Sequence, residues 1–185
     1  MLRDQRLAYR LAENPYQPHL ARIVAIKPQD REHKLFQIRF EDRATAESFR
    51  SKPGQFVELS VIGTGECPIS ISSPPTRPGI VELCVRRAGR VTGALFKKST
   101  NSLVGLRGPY GNGYPVERME GNDLLLVAGG LGMAPLRSLL WYALDNRAAF
   151  RRVILLYGCR EPGEVLFRDE MAGLVTRADL ECHLT

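Results

Sequence analysis

The run Leu124-Leu125-Leu126-Val127-Ala128-Gly129-Gly130-Leu131-Gly132-Met133-Ala134-Pro135 constrains this chain more than any other stretch. A short aliphatic segment has the character of a buried parallel strand. Three glycines end it, where the backbone must turn sharply and let another group approach. Pro135 suits the first turn of a helix, and Leu136, Leu139, Leu140, Ala143 and Leu144 follow at helical spacing. Strand, glycine turn and helix start together form an anion site, because free N–H groups and the helix dipole face the turn. The expected occupant is a dinucleotide pyrophosphate. The pattern is not G-x-G-x-x-G, so the ordinary dinucleotide fingerprint does not apply, and an empty tight turn is the competing reading.

The residues before and after this run differ in kind. From His19 to Pro115 short strand patterns alternate with turns: 21–26, 35–40, 55–61, 67–72, 80–87 and 103–106. The segment 41–52 reads as polar and irregular, and 92–98 as a short helix with Thr92 as its N-cap. This spacing predicts an antiparallel barrel or sandwich. After Asp123 the pattern becomes strand 124–128, helix 135–146, strand 153–157, a helical stretch near 165–175 and a strand at 179–184. The expected division is a polar N-terminal arm at 1–15, a barrel at 16–117 and an α/β unit at 120–185. Two or three parallel strands are few for a dinucleotide fold, which predicts a fragment or a short member of its class.

Composition narrows the function. The chain has 185 residues, 44% hydrophobic and 25% charged, enough for an ordinary globular core. No apolar run has membrane-spanning length and the first 13 residues lack a signal-peptide core, which predicts a cytoplasmic protein without a membrane partner. The net charge of +6 favours an acidic partner or an anionic cofactor; its cations are too dispersed for nucleic acid. Cys67, Cys84, Cys159 and Cys182 have no ligand spacing, so no metal site is expected and reduced thiols are.

Seven motifs stand in order: Pro53-Gly54-Gln55-Phe56, Cys67-Pro68-Ile69-Ser70, Val85 through Thr92, Gly108-Pro109-Tyr110-Gly111, the glycine run above, Tyr157-Gly158-Cys159-Arg160, and Leu166 through Glu170. In this series the chain resembles the ferredoxin–NADP reductase superfamily over about residues 15–185. Within it the chain is most similar to gamma subunits of cytosolic sulfhydrogenases and nickel–iron hydrogenases. The corresponding subunit of anaerobic sulfite reductase and the electron-transfer subunit of dihydroorotate dehydrogenase are related.

The resemblance implies an antiparallel barrel that binds FAD, followed by a truncated parallel-sheet domain that binds NAD or NADP. Cys67, Pro68, Ile69 and Ser70 would line the isoalloxazine, with the Ser70 hydroxyl near its reactive nitrogen as the one catalytic candidate. Val85, Arg86, Arg87, Val91 and Thr92 would form the second flavin segment. Alternation along a strand predicts that only one of the two arginines touches phosphate. Gly129, Gly130, Gly132, Met133 and Ala134 would contact the nicotinamide dinucleotide, and Arg160 would reach its adenosine ribose or stand as a surface charge. Glu161 and Glu164 nearby leave NAD against NADP open. Asp169 and Glu170 read as solvated or structural.

Cys67 stands where the wider superfamily has arginine, and Ile69 where it has an aromatic ring, as in the gamma-type branch. Any [2Fe–2S] centre would belong to a C-terminal region beyond Thr185. The implied function is an oxidoreductase subunit that moves a hydride between NAD(P)H and FAD. It would pass electrons through an iron–sulfur centre to a hydrogenase or sulfur-reducing partner in a multi-subunit complex. The short second domain leaves open a chain inactive by itself. Dihydroorotate dehydrogenase or sulfite reductase partners are the alternative, and a non-catalytic nucleotide-binding or assembly module is the alternative of another class.

Overall fold

The computed structural model describes residue 14 and residues 16–185. The polar arm expected at 1–15 therefore lies outside the described residues, Asn14 apart.

Six strands form one antiparallel sheet: β1 (His19–Pro28), β2 (His33–Phe40), β3 (Phe56–Val61), β4 (Gly65–Ser70), β5 (Val81–Arg86) and β6 (Leu103–Tyr110), in the order β4-β3-β6-β1-β2-β5. Just past β4 the chain pairs across to β5 through an Ile71–Leu83 bridge, and the Ser72 N–H reaches the Glu82 carbonyl at 2.8 Å. The two outer strands are thereby joined, which closes the sheet and removes its free edges. Ile23, Phe36, Ile38, Val57, Leu59, Leu83 and Leu106 fill the interior.

Two local expectations are corrected. Residues 41–52 contain a helix, α1 (Arg43–Ser48). Its start is set by Asp42, whose carboxylate accepts the Thr45 N–H at 2.7 Å, a one-turn cap too short to show as periodicity. The second helix, α2 (Arg90–Leu95), begins after Gly89 at φ +113°, not after Thr92. Thr92 lies inside that helix and its hydroxyl accepts the Ala88 N–H at 2.8 Å.

Beyond a single turn, α3 (Val116–Met119), the chain enters a parallel sheet of β7 (Leu124–Gly129), β8 (Val153–Gly158) and β9 (Glu181–Leu184), in sequence order. Helices α4 (Met133–Asp145) and α5 (Arg168–Val175) contribute to its core, with Leu139, Leu140 and Met171 fully buried. Leu124, Leu126, Ala128, Val153, Leu155 and Tyr157 complete that core. No described residue covers the other sheet face at Leu125 and Val127, which are 57% and 63% exposed. The aliphatic run is therefore a strand covered on one face, not on both as its composition suggests.

The ribbon β2–β5 joins the two sheets. Phe36, Ile38, Leu83 and Val85 point into the barrel. The opposite parity gives three cross-strand pairs, Gln37–Glu82, Leu35–Cys84 and His33–Arg86. Leu35 and Cys84 are absorbed into the core of the parallel-sheet unit. Beside them Arg137 of α4, only 5% exposed, donates to the Glu82 carboxylate at 2.6 Å and the Ser72 carbonyl at 2.9 Å. Its Nε and Nη2 grip both oxygens of Glu170 at 2.9 and 2.7 Å. Ser138 donates to the Ser73 carbonyl at 2.8 Å. A buried guanidinium with every face occupied fixes how α4 sits on the barrel.

Candidate functional site

The glycine turn opens into a cleft of about 630 Å³ at the C-terminal ends of β7 and β8, where open parallel sheets place ligands. An added Cβ at Gly129, Gly130 or Gly132 would meet nothing within 4 Å, so the turn faces free space. Gly130 has φ +49° and opens a 3₁₀ turn that leads straight into α4. Arg160, Gly158, Cys159 and Glu164 line the same cleft. Burial, with the Glu164 carboxylate, pushes the Cys159 thiol up, so it stays protonated and is a poor nucleophile. Tyr157 beneath the turn is fully buried, its hydroxyl pushed up to about 12 chiefly by that burial while it accepts the Leu166 N–H at 3.0 Å.

Met133 and Ala134 do not line this space with their side chains. Both are buried in the core, and the Met133 N–H is taken by the turn's own carbonyls at Gly130 and Leu131. Gly129, Gly130 and Arg160 line one cleft, and Met133 supports the turn from behind.

A second groove, of about 780 Å³, runs along α2. Arg31, Lys34, Arg87, Arg90 and Lys97 line it, with Gly63, Gly89 and Gly93 as small residues between them. Among the described residues lining it, none is acidic. Arg87 and Arg90 have no ion-pair partner among the described residues, whereas Arg22, Arg77, Arg107, Arg152 and Arg177 each hold a carboxylate. Unneutralised cations around glycines make a surface suited to phosphate groups. Sequence reasoning missed Arg31, Lys34 and Lys97, which come from separate segments and share no spacing.

The second flavin segment is divided by the structure. Val85 is 1% exposed, so its side chain belongs to the barrel core. Arg87 faces the basic groove, while Arg86 faces the cleft of the glycine turn. Strand parity sends neighbouring side chains to opposite faces, which is why the pair separates.

Cys67, Pro68, Ile69 and Ser70 lie on β4, beside α2: a Cβ at Gly65 would stand 3.5 Å from Val91. Ile69 packs on the barrel core. Burial, reinforced by Glu58 and Glu66, pushes the Cys67 thiol up. The Ser70 hydroxyl has no hydrogen-bond partner among the described residues. Two and three residues on, Ser72 and Ser73 supply the carbonyls held by Arg137 and Ser138 of α4. The segment that follows the Ser70 strand and the helix that starts at the glycine turn are thus tied together by direct hydrogen bonds. Among the described residues no group of His, Cys, Asp or Glu is arranged to hold a metal ion. The described residues also include no helix long and apolar enough to cross a membrane.

Residues 126–185 match the family model described as oxidoreductase NAD-binding domain. This part of the chain is an oxidoreductase NAD-binding domain, and the chain has the ferredoxin–NADP reductase-like fold. The chain with this NAD-binding domain is 47% identical over 172 residues to sulfhydrogenase 2 subunit gamma of Pyrococcus furiosus, a match covering 92% of the chain and 59% of that protein. It is 33% identical over 130 residues to a probable dihydroorotate dehydrogenase B (NAD(+)) electron transfer subunit of the same organism, covering 70% of the chain and 47% of the relative. The chain thus spans about three fifths or less of the length of these relatives. Among solved structures, the flavohem-like FAD/NAD-binding domain of nitric oxide dioxygenase from Vibrio cholerae superposes with a TM-score of 0.77 at 20% identity, over 90% of the chain and 73% of that domain. That likeness shows the fold: an antiparallel barrel followed by a parallel sheet.

Proposed function

We propose that the chain is part of an electron-transfer oxidoreductase subunit that takes a hydride from NAD(P)H onto FAD. The observation that carries this is the pairing of two anion-suited surfaces on one rigid frame. The basic groove at Arg87 and Arg90 would hold the FAD phosphates, and the open turn Gly129–Gly132 would hold the nicotinamide dinucleotide. FAD supplies the two-electron acceptor able to release electrons singly. The chain's own residues bind and orient. Ser70, with its hydroxyl unpartnered, would hydrogen-bond the flavin ring, and Arg137 and Ser138 would keep the Ser70 strand in register with the nicotinamide helix. No described side chain is needed as a general acid.

The stronger likeness to a sulfhydrogenase gamma subunit favours a hydrogenase or sulfur-reducing enzyme as the partner complex, with an iron–sulfur centre outside residues 1–185 as the exit for electrons. FAD reconstitution tests the groove. The chain should quench FAD fluorescence stoichiometrically, and replacing both Arg87 and Arg90 by Gln should lower FAD affinity by about ten-fold or more, as loss of charge-assisted phosphate contacts requires. Unchanged affinity in that variant would refute the groove.

A further inference from the structure

The cleft of the glycine turn is walled on one side by the segment between β8 and α5, through Gly158, Cys159, Arg160, Glu164 and Leu166. That segment ends in a strained residue. Phe167 has φ +54°, in the left-handed region that a bulky side chain rarely enters, and it is 3% exposed. Three groups hold the chain there. The Tyr157 hydroxyl accepts the N–H of Leu166 at 3.0 Å, and the Arg137 guanidinium lies 4.9 Å from the centre of the Phe167 ring. The third group comes from the barrel: the side-chain oxygen of Gln29 accepts the Phe167 N–H at 2.7 Å, across 138 residues of sequence. A backbone N–H can only donate, so this contact fixes which end of the Gln29 amide faces Phe167; the other end donates to the Lys27 carbonyl at 3.3 Å. Gln29 opens the β1–β2 turn, and the turn is itself braced. The Asp30 carboxylate accepts the N–H groups of Glu32 and His33 at 2.7 Å each and holds the His33 ring at 2.8 Å.

We propose that Gln29 is a positioning residue for the nucleotide cleft: acting from the barrel through Phe167, it holds the 158–167 segment in the shape that receives the ligand. This rests on the assignment of the glycine cleft to the dinucleotide. Gln29 lines neither that cleft nor the basic groove, so its effect on a ligand is indirect. Phe167 starts α5 and cannot cap that helix with its own side chain, so without Gln29 its N–H would lack a partner in a buried place. With the acceptor gone, the strained residue gains by returning to negative φ, and the segment on its N-terminal side turns with it. Arg160 and Glu164 would then have to be ordered at the moment of binding, which lowers affinity.

The test compares two variants. Gln29→Met keeps the length of the side chain and removes the acceptor; Gln29→Glu keeps an acceptor and adds a charge that suits a helix N-terminus. Isothermal titration would use ADP-ribose, which carries the pyrophosphate without nicotinamide, and a separate titration would use FAD. Hydrogen exchange of the unliganded chain gives the third readout. Gln29→Met should weaken ADP-ribose about five-fold, the equilibrium worth of one ordinary hydrogen bond, with FAD affinity unchanged. Its peptides spanning 158–167 should exchange faster than in the wild type, and Gln29→Glu should match the wild type in all three readouts. ADP-ribose affinity or 158–167 exchange unchanged in Gln29→Met would overturn the proposal while the cleft assignment stands. So would an equal loss in Gln29→Glu, or a loss of FAD affinity alongside that of ADP-ribose. A wild-type chain that binds no ADP-ribose would overturn the cleft assignment and this inference with it.

Discussion

Arg137 is the position where a single substitution should do most damage. Truncation to alanine removes a guanidinium that is 5% exposed and leaves two carboxylates facing its place. Glu82 is 13% exposed and cannot be rehydrated in full, whereas Glu170, at 29%, regains part of its water. Breaking a buried ion pair by removing one partner costs about 3–5 kcal/mol. A domain of this kind has about 5–15 kcal/mol in all, so the variant should fold with a much lower urea midpoint. Trp141 is the chain's single tryptophan and donates its ring N–H to Glu170 at 2.9 Å, so its fluorescence reports this network directly.

The loss should also depend on pH. In the wild type, burial raises the Glu82 carboxyl, but Arg137 and the hydrogen bond from Gln37 outweigh it and leave Glu82 below its usual range. A depressed carboxylate stabilises the fold above its unfolded value, about 4.3, and that contribution fades as pH falls through the folded value. Without Arg137, burial dominates and the folded value rises, so the variant is penalised at neutral pH and relieved by protonation. The stability gap should therefore narrow between about pH 7 and pH 4. Adding Glu82→Gln and Glu170→Gln to an Arg137→Met background should recover part of it. A gap below about 1 kcal/mol, or one independent of pH, would show that the network is not a buried ion cluster.

Gly130→Asp places a carboxylate at the open turn; it should abolish measurable NADH binding by titration and leave FAD content unchanged, and equal loss of both would refute two separate sites. Ser70→Ala should slow flavin reduction in stopped flow by about ten-fold while FAD affinity changes little, the expected cost of one hydrogen bond to a ring that gains charge; unchanged kinetics would remove Ser70 from the chemistry. Leu125→Thr with Val127→Thr should reduce self-association in sedimentation, because the bare sheet face loses apolar surface. Its stability should shift by no more than about 0.5 kcal/mol per site, and a loss near 3 kcal/mol would show that the face is covered.

The glycine turn, the barrel strands and the parallel strands were legible because period-two runs and glycine punctuation are local signals. The helix at 43–48 was not, since one turn capped by Asp42 has no period to detect. Arg137 and Ser138 lie on the buried side of α4 among the leucines whose spacing marked the helix. A polar residue in such a pattern reads as solvated unless its partner is known, and Glu82 is 55 residues away. The same blindness divided Arg86 from Arg87 without saying which went where: parity showed that they part, and only the packing of β5 against α4 decided the direction. Glu170 read as solvated or structural because it fell in a helical stretch outside any catalytic arrangement, and its grip on Arg137 and Trp141 decides between the two.

The most direct test of the proposed function is an absorption spectrum of the purified, FAD-reconstituted chain, recorded before and after anaerobic addition of NADH and then of NADPH. Flavin bands that bleach with one of these nucleotides are the predicted result, and the nucleotide that bleaches them is the donor. A chain that takes up no flavin would contradict the proposal at its root. Bound flavin that neither nucleotide reduces would contradict the claim that this frame brings the two cofactors together.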